Sequence, residues 1–382
     1  MKRICICCDG TWNSADQATN GIPHPTNVLR TAYRIAKRDG PIDQLVYYDQ
    51  GVGTGNRLDR LTGGAFGSGL IDNIYDAYRF LIANYEPDDE IYLFGFSRGA
   101  FTVRRLAGMI DKCGILKRAS VAKYHEARSL YLSSSPVDSP RAKRFRQDHS
   151  LAGDAEIPIK FVGVWDTVGA LGIPLRGLRL LTLQHDQFHD TQLSHGVKFA
   201  YQALAIDEHR EPFAPTLWSP VHEPDQTIEQ VWFCGAHSDV GGGYVGRGLA
   251  DITLGWMIEK AQSHGLAFED DVLAAFELHP APLARVHNSM TGLYRLARRH
   301  DRVIGLETTR AGEPEVCAKE DPTQSIHESA LQRWHNDASY RPASLRDYFR
   351  RANDMRAIEP PRHAGVGDAD RSAQTVARPS LQ

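Results

Sequence analysis

Short apolar runs alternate along residues 1–115 with longer stretches in which apolar residues recur every three or four positions. Residues 3–8, R-I-C-I-C-C, predict a short buried strand that ends in the turn Asp9-Gly10-Thr11-Trp12-Asn13. Thr26 or Asn27 is placed to cap a helix through Lys37, with Val28, Leu29, Ala32, Tyr33 and Ala36 on one face. Residues 44–48, Q-L-V-Y-Y, predict a second strand, followed by a glycine-rich loop over 51–69. Leu70, Ile71, Ile74, Tyr75, Tyr78, Leu81, Ile82 and Tyr85 form a wide apolar stripe that predicts a helix over 69–85. A strand over 90–94 and a helix over 99–112 follow, with Gly114 as its C-cap.

This alternation is the signature of a parallel sheet with helices on both faces. Strands over 159–165 and 229–234 extend the sheet, and a helix over 249–264 packs on it. The expected fold is α/β, with a mostly parallel central sheet, helices on both faces, insertions that form a cap and a short C-terminal extension. The main domain is expected over 1–280, with insertions at about 117–156 and 170–228. Residues 281–355 form an extension on the core, and 356–382, rich in Pro, Ala, Ser and charge, read as a disordered tail.

Composition narrows the class. With 42% hydrophobic and 24% charged residues the chain can bury a sizeable core, and a net charge of -3 argues against a nucleic-acid partner. The cysteines at 5, 7 and 8 lie inside an apolar run, and none of the six forms a zinc-like spacing, so neither a metal nor a disulfide framework is expected. No apolar core of a signal peptide and no apolar run near 18 residues is present. The expected location is therefore cytoplasmic, with delivery by a secretion machine that needs no signal peptide as the alternative.

The chemistry centres on Gly95-Phe96-Ser97-Arg98-Gly99. G-x-S-x-G between a strand and a helix is a nucleophile elbow, in which the serine is lifted out of a sharp turn and flanking side chains would clash. The Arg98 N–H, opening the next helix, points at an incoming oxyanion. A serine needs a base, and the order in this fold is serine, acid, histidine. Asp166, ending V-G-V-W-D, fits the acid, and His237, in C-G-A-H-S-D-V-G-G-G-Y, fits the base. Asp239 is a rival acid or a partner that fixes the loop, and His327 is a rival base. The Gly10 or Thr11 N–H is the second oxyanion donor, with Asp9 ordering that loop or holding a cation.

Other features carry less. Asp9-Gly10-Thr11 resembles part of the haloacid-dehalogenase signature, but Cys7 stands where its nucleophilic aspartate belongs. A metal-dependent phosphatase using Asp9 is thus a minor alternative. The loop 51–69 lacks the G-K-[ST] of a phosphate-binding loop and reads as a flexible border of the active-site mouth. Leu175, Leu178, Leu180, Leu181 and Leu183 would form either a lid over the site or core. Asp207-Glu208-His209-Arg210 reads as a salt-bridged helix end rather than a metal site.

The ordered set D-G-T-W-N, T-N-V, Y-Y-D-Q-G-V-G-T, F-G-F-S-R-G-A, V-W-D-T-V-G-A-L-G, A-L-A-I-D-E-H-R and H-S-D-V-G-G-G-Y resembles an α/β-hydrolase family related to the catalytic domain of type VI secretion phospholipase effectors. The likeness covers about residues 3–260. It implies a Ser97–Asp166–His237 triad acting through an acyl-enzyme on carboxylic esters of lipids or phospholipids, without a cofactor. It also implies contact with a membrane surface and an effector–immunity partner. The reading from another class is a non-catalytic binding or scaffold protein that keeps the fold.

Overall fold

The computed structural model describes residues 1–10, 18–51, 64–169, 191–269, 276–307 and 319–352. The glycine-rich loop over 52–63, the leucine run within 170–190 and the tail from 353 lie outside the described residues. The described strands are β1 (Arg3–Cys8), β2 (Ala18–Thr19), β3 (Ile22–Pro23), β4 (Arg38–Asp39), β5 (Ile42–Asp49), β6 (Glu90–Phe96), β7 (Ile159–Trp165), β8 (Val197–Ala205), β9 (Thr227–Phe233) and β10 (Gln324–Ile326). Eight of them form one sheet in the order β10-β9-β8-β7-β6-β1-β5-β4, parallel except for the β4–β5 hairpin at one edge. The fold is α/β, as expected.

Alternation along β1 shows why the sheet is buried on both faces. Ile4, Ile6 and Cys8 join the core with α2 (Gly64–Asn84) and α3 (Arg98–Cys113), whereas Cys5 and Cys7 join the core with α1 (Asn27–Arg34) and α7 (Gly248–Ser263) on the other face. Two helices between β6 and β7, α4 (Tyr124–Leu132) and α5 (Pro140–His149), extend the first core. The five described cysteines are free and buried, so they behave as small hydrophobes.

Several boundaries differ from expectation. Helix α1 ends at Arg34 rather than Lys37, and Tyr33 is largely exposed, while Arg30 turns inward to pair with Asp251 at 2.5 Å. The ion pair recruits a position that an apolar count assigns to solvent. Helix α2 begins at Gly64, taking in glycines expected as loop. The stretch 170–228, expected as an insertion, contains the central strand β8 between β7 and β9. Its Gln202 is buried because the side-chain amide donates to Gln230 Oε1 at 3.1 Å and to the Thr216 carbonyl at 3.3 Å. The C-terminal segment adds β10 beside β9, then α8 (Glu328–Asn336) and α9 (Ala343–Arg351). Trp334, Leu345 and Phe349 close a third core over Trp232 and Leu204.

Candidate active site

The candidate residues gather where the parallel strands end. Phe96 pairs with Trp165 across β6 and β7, so Ser97 and Asp166 leave adjacent strands side by side. The Ser97 N–H donates to the Trp165 carbonyl at 3.0 Å. Ser97 has φ 57° and ψ -119°, a conformation that side chains rarely adopt, and it opens α3 without capping it. The flanking glycines have no room for a side chain. A Cβ at Gly95 would lie 2.6 Å from the Ala100 Cα, and one at Gly99 would lie 2.0 Å from the Cys8 carbonyl oxygen. Gly99 thus lets α3 start directly on the end of β1, and the bend between them is held from both sides.

Asp166 also has positive φ, 41°, and is fully buried. Its Oδ2 meets the His237 Nδ1 at 2.6 Å. His237 reaches it from α6 (His237–Gly241), beyond β9, by crossing the end of β8. The imidazole lies on the ring of Phe96, at 4.6 Å between centroids, and the Phe213 ring meets it edge-on at 5.0 Å. Ser97 keeps 6% of its surface open, and its hydroxyl makes no hydrogen bond among the described residues. The structure therefore joins Asp166 to His237 directly and sets both beside the bend that carries Ser97.

Two carboxylates and two guanidinium groups surround the imidazole. Arg302 donates to both oxygens of Asp166, Nη1 to Oδ1 at 2.6 Å and Nη2 to Oδ2 at 3.0 Å, and the Ala205 N–H adds a bond to Oδ1 at 3.0 Å. Burial alone would push the Asp166 carboxyl up. The charge of Arg302 and the bond to His237 outweigh it and hold the group well below the usual carboxylate range. Glu208 Oε2 accepts the His237 N–H at 3.3 Å, while Arg210 binds both Glu208 oxygens at 2.8 Å. Burial likewise opposes ionisation of Glu208, yet Arg210 brings it down to about 2. Arg210 in turn lies 3.5 Å from the centroid of Phe213. On the other flank, burial pushes Arg98 down to about 10.

The remaining candidates have other partners. Asp9 bonds within its own loop, to the start of α1 and to β5. Its Oδ1 accepts the Gly10 N–H at 2.7 Å, and its Oδ2 accepts the Thr26 and Tyr48 hydroxyls at 2.5 and 2.9 Å. Asp9 thus orders its loop and engages the Gly10 N–H. Thr11 lies outside the described residues. Asp239 accepts the Ala236 and His287 N–H groups, both at 3.0 Å, and meets His287 Nδ1 at 2.6 Å, so it fixes the histidine loop. His327 caps α8 against Ser329 and stacks on Phe233, and burial pushes it down to about 4.

Sequence reasoning missed Arg302, and it read Glu208 and Arg210 as salt-bridged, which they are, without placing them beside His237. The A-L-A-I-D-E-H-R stretch ends a strand rather than a helix, and both of its acids hold the histidine loop: Asp207 takes the Gly235 N–H at 2.7 Å. Asn27 plays a similar part, donating to the Val240 and Ala250 carbonyls at 2.9 and 3.0 Å. Arg302 comes from a region without clear periodicity and carries no local signal.

The profile of the T6SS phospholipase effector Tle1-like catalytic domain matches residues 2–260. The uncharacterized protein YEL023C of Saccharomyces cerevisiae is 32% identical over 243 residues, 58% of this chain and 33% of that protein. The match therefore spans about a third of the yeast protein's length. An uncharacterized protein from Pseudomonas aeruginosa is similar in structure at 18% identity and a TM-score of 0.42, over 70% of this chain and 46% of that one. The Tle1 effector bound to the VgrG spike of the type 6 secretion system gives 19% and 0.37, over 63% and 51%. With its matched region covering the strands that carry Ser97, Asp166 and His237, the chain belongs to the Tle1-like phospholipase effector catalytic-domain family.

Proposed function

We propose that the protein is a serine hydrolase of lipid acyl esters. Ser97 Oγ attacks the ester carbonyl and His237 takes its proton. The ionised Asp166 keeps the proton of the neutral imidazole on Nδ1, which leaves the Nε2 lone pair as the base. The Arg98 N–H, in the first turn of α3, binds the oxyanion. His237 then returns the proton to the leaving alcohol, and water releases the acid from the acyl-enzyme by the same route. The observation that carries this reading is the strained Ser97 between two glycines without room for a side chain, beside the buried Asp166–His237 pair.

Family membership supports phospholipid as the ester class, and with it contact with a lipid surface and an immunity partner. The test is labelling by a fluorophosphonate probe, followed by assays on phospholipid vesicles and short-chain soluble esters. Ser97→Ala is expected to abolish labelling and to lower kcat by roughly 10⁴- to 10⁶-fold with an unchanged circular dichroism spectrum. Turnover that survives the substitution would remove Ser97 from the mechanism. A folded wild type that neither labels nor turns over either ester would favour a scaffold.

A further inference from the structure

Arg302 lies beyond the matched region, yet it binds the carboxylate on which the histidine depends. We propose that Arg302 is a positioning residue: its guanidinium holds both oxygens of Asp166 in place, so that the carboxylate stays aimed at His237. The inference rests on Ser97, Asp166 and His237 acting together as above.

Four donors converge on one buried carboxylate. Oδ1 receives the Ala205 N–H and Arg302 Nη1, and Oδ2 receives His237 Nδ1 and Arg302 Nη2. Arg302 is itself anchored. Its Nη1 donates to the Ala205 carbonyl at 2.8 Å and its Nη2 to the Phe213 carbonyl at 2.6 Å. With only 3% of its surface accessible, the guanidinium cannot swing away without breaking these bonds. The arrangement is a brace. It ties the end of β8 and the Phe213 turn, whose ring contacts His237, to the carboxylate.

Charged groups flank the imidazole on several sides. Asp166 and Glu208 supply two anions, and Arg302 and Arg210 supply two cations. Arg98 adds a further cation on the helix after Ser97. Within α6 the nearest acid, Asp239, is committed to His287, and Asp207 to Gly235 and Tyr340. A carboxylate without its counter-cation would favour the imidazolium and delay the base. Removing Arg302 leaves that charge uncompensated in a site with little water to screen it. The acid limb of Ser97 reactivity is then expected to move to higher pH in that variant.

The test compares wild type, Arg302→Gln and Arg302→Lys. Selective ¹⁵N labelling of histidine, with His237 assigned from His237→Gln, follows the imidazole titration directly. The pH dependence of fluorophosphonate labelling follows the reactivity of Ser97. In Arg302→Gln the His237 titration and the acid limb of labelling are expected to rise together by roughly one pH unit or more. Arg302→Lys keeps a cation but loses the planar fork. Its titration should rise less, while labelling at the pH optimum still slows. If only Arg302→Lys folds, a His237 titration at the wild-type value would overturn the inference. So would an unmoved titration in Arg302→Gln, whatever the labelling rate, because slower labelling alone is what lost packing would give. A shifted titration in a protein whose Ser97 never labels would uphold the brace and reject the serine mechanism.

Discussion

Gly99 concentrates the constraint on the site. Its absent side chain is what allows α3 to begin against the end of β1, and a methyl there would overlap the Cys8 carbonyl at 2.0 Å and the Asp9 carbonyl at 2.5 Å. Both obstacles are backbone, so neither can rotate out of the way. Gly99→Ala should therefore force the helix start off the sheet, lower stability by about 1–3 kcal/mol in urea unfolding, and tilt Ser97 away from His237. A variant with wild-type midpoint and activity would show that the bend tolerates a side chain. The glycine pattern around Ser97 was readable in the chain because the elbow is local: strand, bend and helix follow one another within a few residues.

Helix α8 illustrates how a histidine expected as a rival base serves a helix end instead. His327 occupies the N-cap, where its ring nitrogen accepts the Ser329 N–H at 3.2 Å. Burial holds its pKa near 4, below the ordinary value of 6.5. In the window between these values the unfolded chain binds a proton that the folded chain refuses. The contribution is intact above about pH 6.5 and declines as pH falls toward 4. His327→Asn keeps a capping acceptor and removes the titration. Between pH 7 and pH 5 its unfolding free energy should fall less than that of wild type, by on the order of 1 kcal/mol. Parallel profiles would mean that His327 titrates normally in the fold. The strands show the same limit of local reading. β1 and β7 announce themselves as continuous apolar runs because both sheet faces are covered. β8 does not, since Gln202 interrupts its apolar run, and only the cross-strand bonds of Gln202 make the strand comprehensible.

Across the molecule, the region matched by the family profile is not self-sufficient. Beyond residue 260 come β10, α8, α9 and Arg302, and with them the cover of Trp232, Leu204 and Leu249. Without these elements a third core becomes apolar surface, and Asp166 loses its counter-cation. A chain ending at 260 should thus be insoluble, or bind a hydrophobic dye while lacking sharp tertiary signals, and it should not react with a fluorophosphonate. A soluble truncated form with wild-type labelling would refute this dependence. Three cores share one sheet, so the candidate site is supported from both faces and from the C-terminal segment.

The chain order alone carried the alternating strands and helices, the bend at Ser97 and the candidacy of Asp166 and His237 after strands, with Asp239 and His327 as rivals. Each of these is written in apolar periodicity or in residues close together along the backbone. It could not reveal that Asp166 is clamped by a guanidinium 136 positions later, that Glu208 and Arg210 pair beside His237, or that the Gly10 N–H is engaged by Asp9. Those facts depend on which strand ends become neighbours. A buried charge is recognisable as such only when its partner is in place, and that partner is set by sheet order and packing rather than by proximity in sequence.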